Sequence, residues 1–183
     1  MALNATIFKA ELQVSDLDRH YYETHALTLA RHPSETDERM MVRLLAFALH
    51  ADPALAFGNG LSSADEPALW RKDLTGVIQQ WIDVGLPEVK QVRRAAGRAA
   101  EVAIYAYGRG ADRWWAQSGA DLGAIAALTV FKLPTATTQA LAELAQKNMR
   151  LQCLVQEGDV SFSDEQTSVA VAVEVLKAPG AGR

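Results

Sequence analysis

Gln80-Trp81-Ile82-Asp83-Val84-Gly85-Leu86-Pro87 is the stretch whose reading decides the fold. Ile82 and Val84 fall on one side of an extended chain; Trp81, Asp83 and Gly85 fall on the other. Asp is depleted in strands, so a carboxylate leaving an otherwise strand-like segment close to its end needs a reason. The ends of strands are where open sheets commonly place their sites. Gly85-Leu86-Pro87 then stops the strand and leads into a helix, with Pro87 suited to the first helical position.

Working outward, strands are predicted over 66–72 and 77–84, joined near Asp73-Leu74-Thr75-Gly76, with a short strand near 55–57 and a turn at Gly58-Asn59-Gly60. Before them, Ser34-Glu35-Thr36-Asp37 resembles a capping box. It opens a helix that is apolar from Met40 to Leu49 except at Arg43, and such a helix is mostly buried. After them comes a helix with Val89, Val92, Ala96 and Ala99 on one face. Lys90, Arg94 and Arg98 lie opposite, and Arg93 sits at the border. A strand over 102–107 follows, closed by Gly108-Arg109-Gly110. The order is helix–strand–strand–strand–helix–strand. On the N-terminal side, residues 6–14 alternate, with Phe8, Ala10, Leu12 and Val14 inward, and pair with 21–31 in a long hairpin. On the C-terminal side stand a helix over 111–126, a strand over 128–133 and a helix from Thr135 to about 147. A hairpin around Glu157-Gly158-Asp159 and a strand over 169–175 complete the chain. The fold class is therefore mixed α/β: a central mixed sheet flanked by helices.

Composition narrows the classes of function. The chain has 183 residues, 49% hydrophobic and 22% charged, which is one globular domain by the size prior and neither disordered nor fibrous. The net charge of -4 argues against a general nucleic-acid coat, though not against a local basic patch. One such patch is visible: residues 71–113 hold eight Lys/Arg against five Asp/Glu, whereas 151–176 hold five acids and no Lys or Arg. Cys153, the single cysteine, alternates as an inward strand residue and is expected to be buried and structural. His20, His25, His32 and His50 lack zinc-site spacing. No phosphate loop or serine-nucleophile elbow is present. The N-terminus does not read as a signal peptide and no apolar run approaches a membrane span, so the expected placement is cytoplasmic, with no membrane partner.

Arg31-His32-Pro33-Ser34-Glu35-Thr36 with Glu38-Arg39-Met40-Met41, then Asp65-Glu66-Pro67, Trp81-Ile82-Asp83-Val84-Gly85-Leu86-Pro87 and Ala100-Glu101-Val102 together resemble the YaeQ family, over almost the whole chain. The resemblance implies a compact variation on the PD-(D/E)XK nuclease fold, with a restriction-endonuclease-like αβββαβ core over about 34–108 inside one domain spanning 1–183. It also implies site residues: Glu38 as the acid of the first helix, Glu66 (or Asp65) as the acid at the start of the second strand, and Asp83 as the acid of the third. These three would hold Mg²⁺ (or Mn²⁺) for phosphodiester hydrolysis on nucleic acid. The family pattern wants a lysine two residues after the third acid, and this chain has Gly85 there. Lys90 is the first substitute and Arg94 the second, with Gln79 and Gln80 as polar neighbours.

Carboxylates around a divalent ion lower the pKa of bound water and polarise phosphate, and a nearby cation stabilises developing charge. The alternative function is a non-catalytic module that keeps the fold and binds nucleic acid or protein, with Lys90, Arg94 and Arg98 as contacts. Each residue also has a structural reading. Glu38 suits the positive end of a helix dipole, and Asp65-Glu66 suits a polar loop. Asp83 suits an ion pair with Arg93 or Arg43, and the basic helix face suits solvent. Trp114-Trp115 cannot both face a core from one helix, so one of them is a candidate base-stacking platform.

Overall fold

The structure, a computed structural model, describes residues 4–180. The expected mixed α/β class holds, but the strands form two sheets, not one, and the chain divides into two compact units.

The first unit takes the chain up to Ala51 together with Ala136–Ala172. Its strands are β1 (Thr6–Asp16), β2 (Tyr21–Arg31), β8 (Asn148–Gln156), β9 (Asp159–Ser163) and β10 (Ser168–Val171), in the order β10-β9-β8-β1-β2. The hairpin β1–β2 is antiparallel in unbroken register from Thr6↔Arg31 to Asp16↔Tyr21. β8 runs parallel to β1, setting Leu12 beside Leu151 and Val14 beside Cys153. Period-two burial on β1 and β8 turns Phe8, Ala10, Leu12, Val14, Met149, Leu151 and Cys153 inward. Each larger side chain among them contributes about 1.5–3 kcal/mol by leaving water. Helix α1 (Asp37–Leu49) is buried continuously from Met40 to Ala48. Thr36, rather than Ser34, is its cap, its hydroxyl accepting from Arg39 N (3.1 Å). Helix α4 (Thr135–Ala142) ends before the expected 147, in reverse turns at Leu144 and Ala145.

The second unit, Asp52–Thr135 and the segment from Val173 on, contains β3 (Leu55–Phe57), β4 (Leu69–Lys72), β5 (Ile78–Val84), α2 (Val89–Ala96), β6 (Ala99–Ala106), α3 (Ala111–Gly123), β7 (Leu128–Lys132) and β11 (Glu174–Lys177). Its sheet runs β11-β7-β6-β5-β4-β3. β3, β4 and β5 form an antiparallel meander. β5, β6 and β7 are parallel, with α2 and α3 as the crossovers such pairs require. Val92 and Ala95 of α2 and Leu122 of α3 pack with Trp81, Val102, Ile104, Leu128 and Val130.

Further boundaries differ from the sequence reading: α2 stops at Ala96, so Arg98 falls in the turn after it and Ala99 opens β6, three residues before the expected 102. The second strand begins at Leu69, not 66, because Pro67 has no ladder donor and the Ala68 amide goes to a side chain. Pro87 lies outside α2, which Glu88 caps by exchanging hydrogen bonds with Gln91. The expected strand over 169–175 is two strands in two different sheets, β10 and β11. No helix among the described residues is long and apolar enough to cross a membrane.

Candidate nucleic-acid interface

Asp83 sits one residue from the end of β5, half-buried, on the same face as Trp81. The two side chains meet: the Trp81 indole N–H donates to Asp83 Oδ2 (2.8 Å), while the Ala68 amide donates to Oδ1 (3.2 Å). The carboxylate thus ties the end of β5 to the chain entering β4. Trp81 is buried and faces Trp70 across the β4–β5 pair, rings near perpendicular with centroids 6.2 Å apart. Each ring carries a cation. Lys72 Nζ lies 3.6 Å from the Trp70 centroid and the Arg98 guanidinium 5.1 Å from that of Trp81, geometry that draws positive charge to the ring face.

Arg98, in the turn after α2, also donates to the Asp65 carbonyl (2.9 Å), and Arg94, on α2 itself, pairs with the Asp65 carboxylate (2.5 Å). Arg93 pairs with Asp121 (3.0 Å). All four side chains of these two ion pairs are about 60% exposed (59–64%), so the pairs are worth little and compete poorly with a better anion. Lys90 is exposed on α2. Asp65, Trp81, Asp83, Arg94 and Arg98 therefore form one connected group, raised by β5, α2 and the loop before β4. Glu66 belongs to that loop as well, its Oε2 accepting from Asn59 N (2.9 Å) and pinning the turn at Gly58–Gly60.

Glu38 lies in the first unit, half-buried on the first turn of α1, and accepts from the buried Thr138 hydroxyl of α4 (2.6 Å). Among the described residues, no group of three or more His, Cys, Asp or Glu side chains is assembled so that it could hold a metal ion. The arginines expected as rivals for Asp83 have acids of their own: Arg93 has Asp121, and Arg43 has Glu35.

Gly85, in the place of the motif lysine, has φ of +106° and donates its amide to the Tyr105 carbonyl (2.9 Å). A Cβ there would meet nothing within 4 Å. The obstacle to lysine is the backbone, which L side chains rarely adopt at this φ. Gln79 turns away to Asp73 (2.9 Å), and Gln80 stands opposite Arg71. Trp114 and Trp115 are both half-buried against the second unit's core; Trp114 donates to the Pro87 carbonyl (2.8 Å), and the Trp115 ring lies over Gly119. Neither is a free platform, because the glycine on α3 lets the second ring lie flat along its own helix.

Sequence reasoning missed two features of the first unit. Glu35, read as part of a cap, is buried and receives Arg43 Nε and Nη2 on its two oxygens (2.7 Å each), with Arg39 as a third donor (2.8 Å). Burial pushes the Arg43 guanidinium below its usual range, and Glu35 opposes that shift. The 35, 39, 43 spacing was the available signal. There is also an open hollow of about 660 Å³, lined among others by Lys9, Glu11, Thr28, Asn148, Arg150 and Glu165, which no motif announced. Cys153 is buried as expected, and desolvation pushes its thiol up to about 12.

The comparisons with known proteins agree along the whole chain. A family model described as "YaeQ protein" matches residues 1–173. A protein from Salmonella typhi named "Uncharacterized protein YaeQ" is 43% identical over 181 residues, 98% of this chain and 99% of that one. The crystal structure of YaeQ protein from Xanthomonas axonopodis pv. citri superposes with a TM-score of 0.92 at 48% identity, covering 96% of this chain and 99% of that chain. That of YaeQ protein from Pseudomonas syringae gives 0.92 at 35% identity, covering 95% and 97%.

Proposed function

The chain belongs to the YaeQ family, and for it we propose a nucleic-acid-binding module that retains a nuclease-like sheet and binds without cutting, through α2 and the turn after it. The observation that carries this reading is the group Lys90, Arg93, Arg94 and Arg98, exposed, with its arginines held by surface acids, an indole face and one backbone carbonyl. Phosphate oxygens displace such partners readily, because releasing the counterions of the nucleic acid drives the exchange. The reading draws on the carboxylates as structural acceptors: Glu38 accepts from Thr138, Glu66 from Asn59, and Asp83 from Ala68 and Trp81. No hydrolytic step is assigned to them. Asp83 acts by position, fixing Trp81 and hence the ring on which Arg98 rests.

The test is fluorescence anisotropy with labelled oligonucleotides, single- and double-stranded, over a salt series. Binding should weaken linearly in log–log form, and each of Lys90→Ala and Arg94→Ala should reduce the slope by about one for duplex. Absence of binding at low salt overturns the reading. Mg²⁺-dependent cleavage of the same oligonucleotides, lost in Asp83→Ala, would replace it by the hydrolytic function.

A further inference from the structure

β2 ends its sheet, and its outer edge is open. Lys9 N donates to the Lys147 carbonyl (2.8 Å) and Leu17 N to the Val155 carbonyl (2.9 Å), so odd-numbered residues of β1 turn their backbone groups toward β8. In an antiparallel pair, the residue opposite one that turns away also turns away. The partners of Ser15, Gln13, Glu11 and Lys9 are Tyr22, Thr24, Ala26 and Thr28, and their N–H and C=O groups therefore point out of the sheet. No strand among the described residues pairs with them, and all four residues are exposed. Ala30 follows the same phase, and its carbonyl takes Arg43 Nη2 (3.4 Å), which closes that end of the edge.

Edges of this kind are normally blunted by shortness, lysine, proline or a bulge. β10, β3 and β11, the other sheet edges, are four, three and four residues long. β2 has eleven residues, unbroken register, and neither Lys nor Pro.

We propose that β2 pairs antiparallel with β2 of a second copy of this chain, about a two-fold axis at Ala26, joining two five-stranded sheets into one continuous sheet. The pairs Thr24 with the partner's Thr28, and Ala26 with the partner's Ala26, then exchange N–H···O bonds through the groups that now face out. Charge selects this orientation. The strand carries its acid, Glu23, near its start and its base, Arg31, at its end. Antiparallel pairing brings Glu23 diagonally beside the partner's Arg31 and sets Arg31 across from the partner's Tyr21, whereas parallel pairing in register aligns like with like. Arg31 also bonds Asp37, which holds it at that end. Thr–Thr and opposite-charge pairs are among the favourable cross-strand neighbours.

Sedimentation equilibrium tests this on the full chain. The expected mass is twice 19.9 kDa at concentrations up to about 100 µM, where a micromolar interface is saturated. Ala26→Pro removes an outward N–H and spares the β1 ladder. It should weaken association at least tenfold with an unchanged far-ultraviolet circular dichroism spectrum. Should that variant misfold, Thr24→Lys with Thr28→Lys gives the same loss by charging the edge. Ala26→Cys should form a disulfide-linked dimer without reductant, while Ala170→Cys on β10 should not. A monomer at about 100 µM overturns the proposal, as does a dimer that both edge variants leave intact.

Discussion

Two carboxylates, Glu35 in the first unit and Asp83 in the second, have opposite surroundings, and the contrast separates scaffold from surface. The Glu35 side chain is 1% exposed and meets two guanidinium groups, Arg43 at both oxygens and Arg39 at one. Charge is matched by charge inside the protein, and nothing remains to recognise a ligand. Asp83 is half-buried and satisfied by neutral donors, an indole and an amide. The nearby arginines are spent only on exposed acids and an aromatic face. A buried pair fixes structure, since removing one member strands the other. A carboxylate held by dipoles beside weakly held cations fixes a surface that can still exchange partners.

The largest effect should come from breaking the buried pair. Glu35→Ala leaves Arg43 charged in the interior and should lower unfolding free energy by about 3–5 kcal/mol, read as the midpoint of a urea transition. A loss below about 1 kcal/mol would erase the contrast by showing that Arg43 finds water. Next comes Asp83→Ala, which leaves the Ala68 amide and the Trp81 indole without their acceptor. It should cost about 1–3 kcal/mol and change Trp81 fluorescence. Asp83→Asn keeps one oxygen and should fall between the variant and the parent. If the asparagine matches aspartate in both stability and oligonucleotide binding, the carboxylate's charge has no part in the site.

The same contrast explains what was legible in the sequence. Period-two alternation located the hairpin, and β2 was bounded correctly, because each of its residues has one neighbour strand and a consistent side. Trp81 and Asp83 were placed on one face by the same periodicity, and their hydrogen bond follows from it. Alternation also ran on through Val169, Val171, Val173 and Val175, yet the chain changes sheets between β10 and β11. A local pattern records which side is apolar, not which sheet supplies the partner. Glu38 and Asp83 were each placed on the correct element, but a carboxylate's partner is a tertiary fact: Thr138 is 100 residues from Glu38. Glu35 was misread for the opposite reason. Its cap-like neighbours were a sufficient local explanation, and the burial that gives it Arg43 lies outside any local window.

Restoring the motif lysine sharpens the comparison at a smaller scale. Gly85→Lys has room for its side chain but not for its φ, and left-handed backbone costs an L residue about 1–2 kcal/mol. The variant should fold, melt earlier, and gain no Mg²⁺-dependent cleavage of oligonucleotides. Appearance of such cleavage would mean that only the lysine was missing, and that Asp83 belongs to a catalytic set after all.

The smallest effect on stability, and the most telling for function, belongs to Arg94. Its pair with Asp65 is two-thirds exposed on both sides, so Arg94→Ala should change unfolding free energy by no more than about 0.5 kcal/mol. Its effect on binding should be out of proportion to that, a several-fold weaker affinity that shrinks as salt rises, because the cation acts on phosphate rather than on the fold. Asp65→Ala should do the reverse, freeing Arg94 and tightening binding at low salt. Equal losses in both variants would mean that the Arg94–Asp65 pair shapes the surface as a unit. The distinction between a buried scaffold acid and an exchangeable surface acid would then fail at the position where it makes its finest prediction.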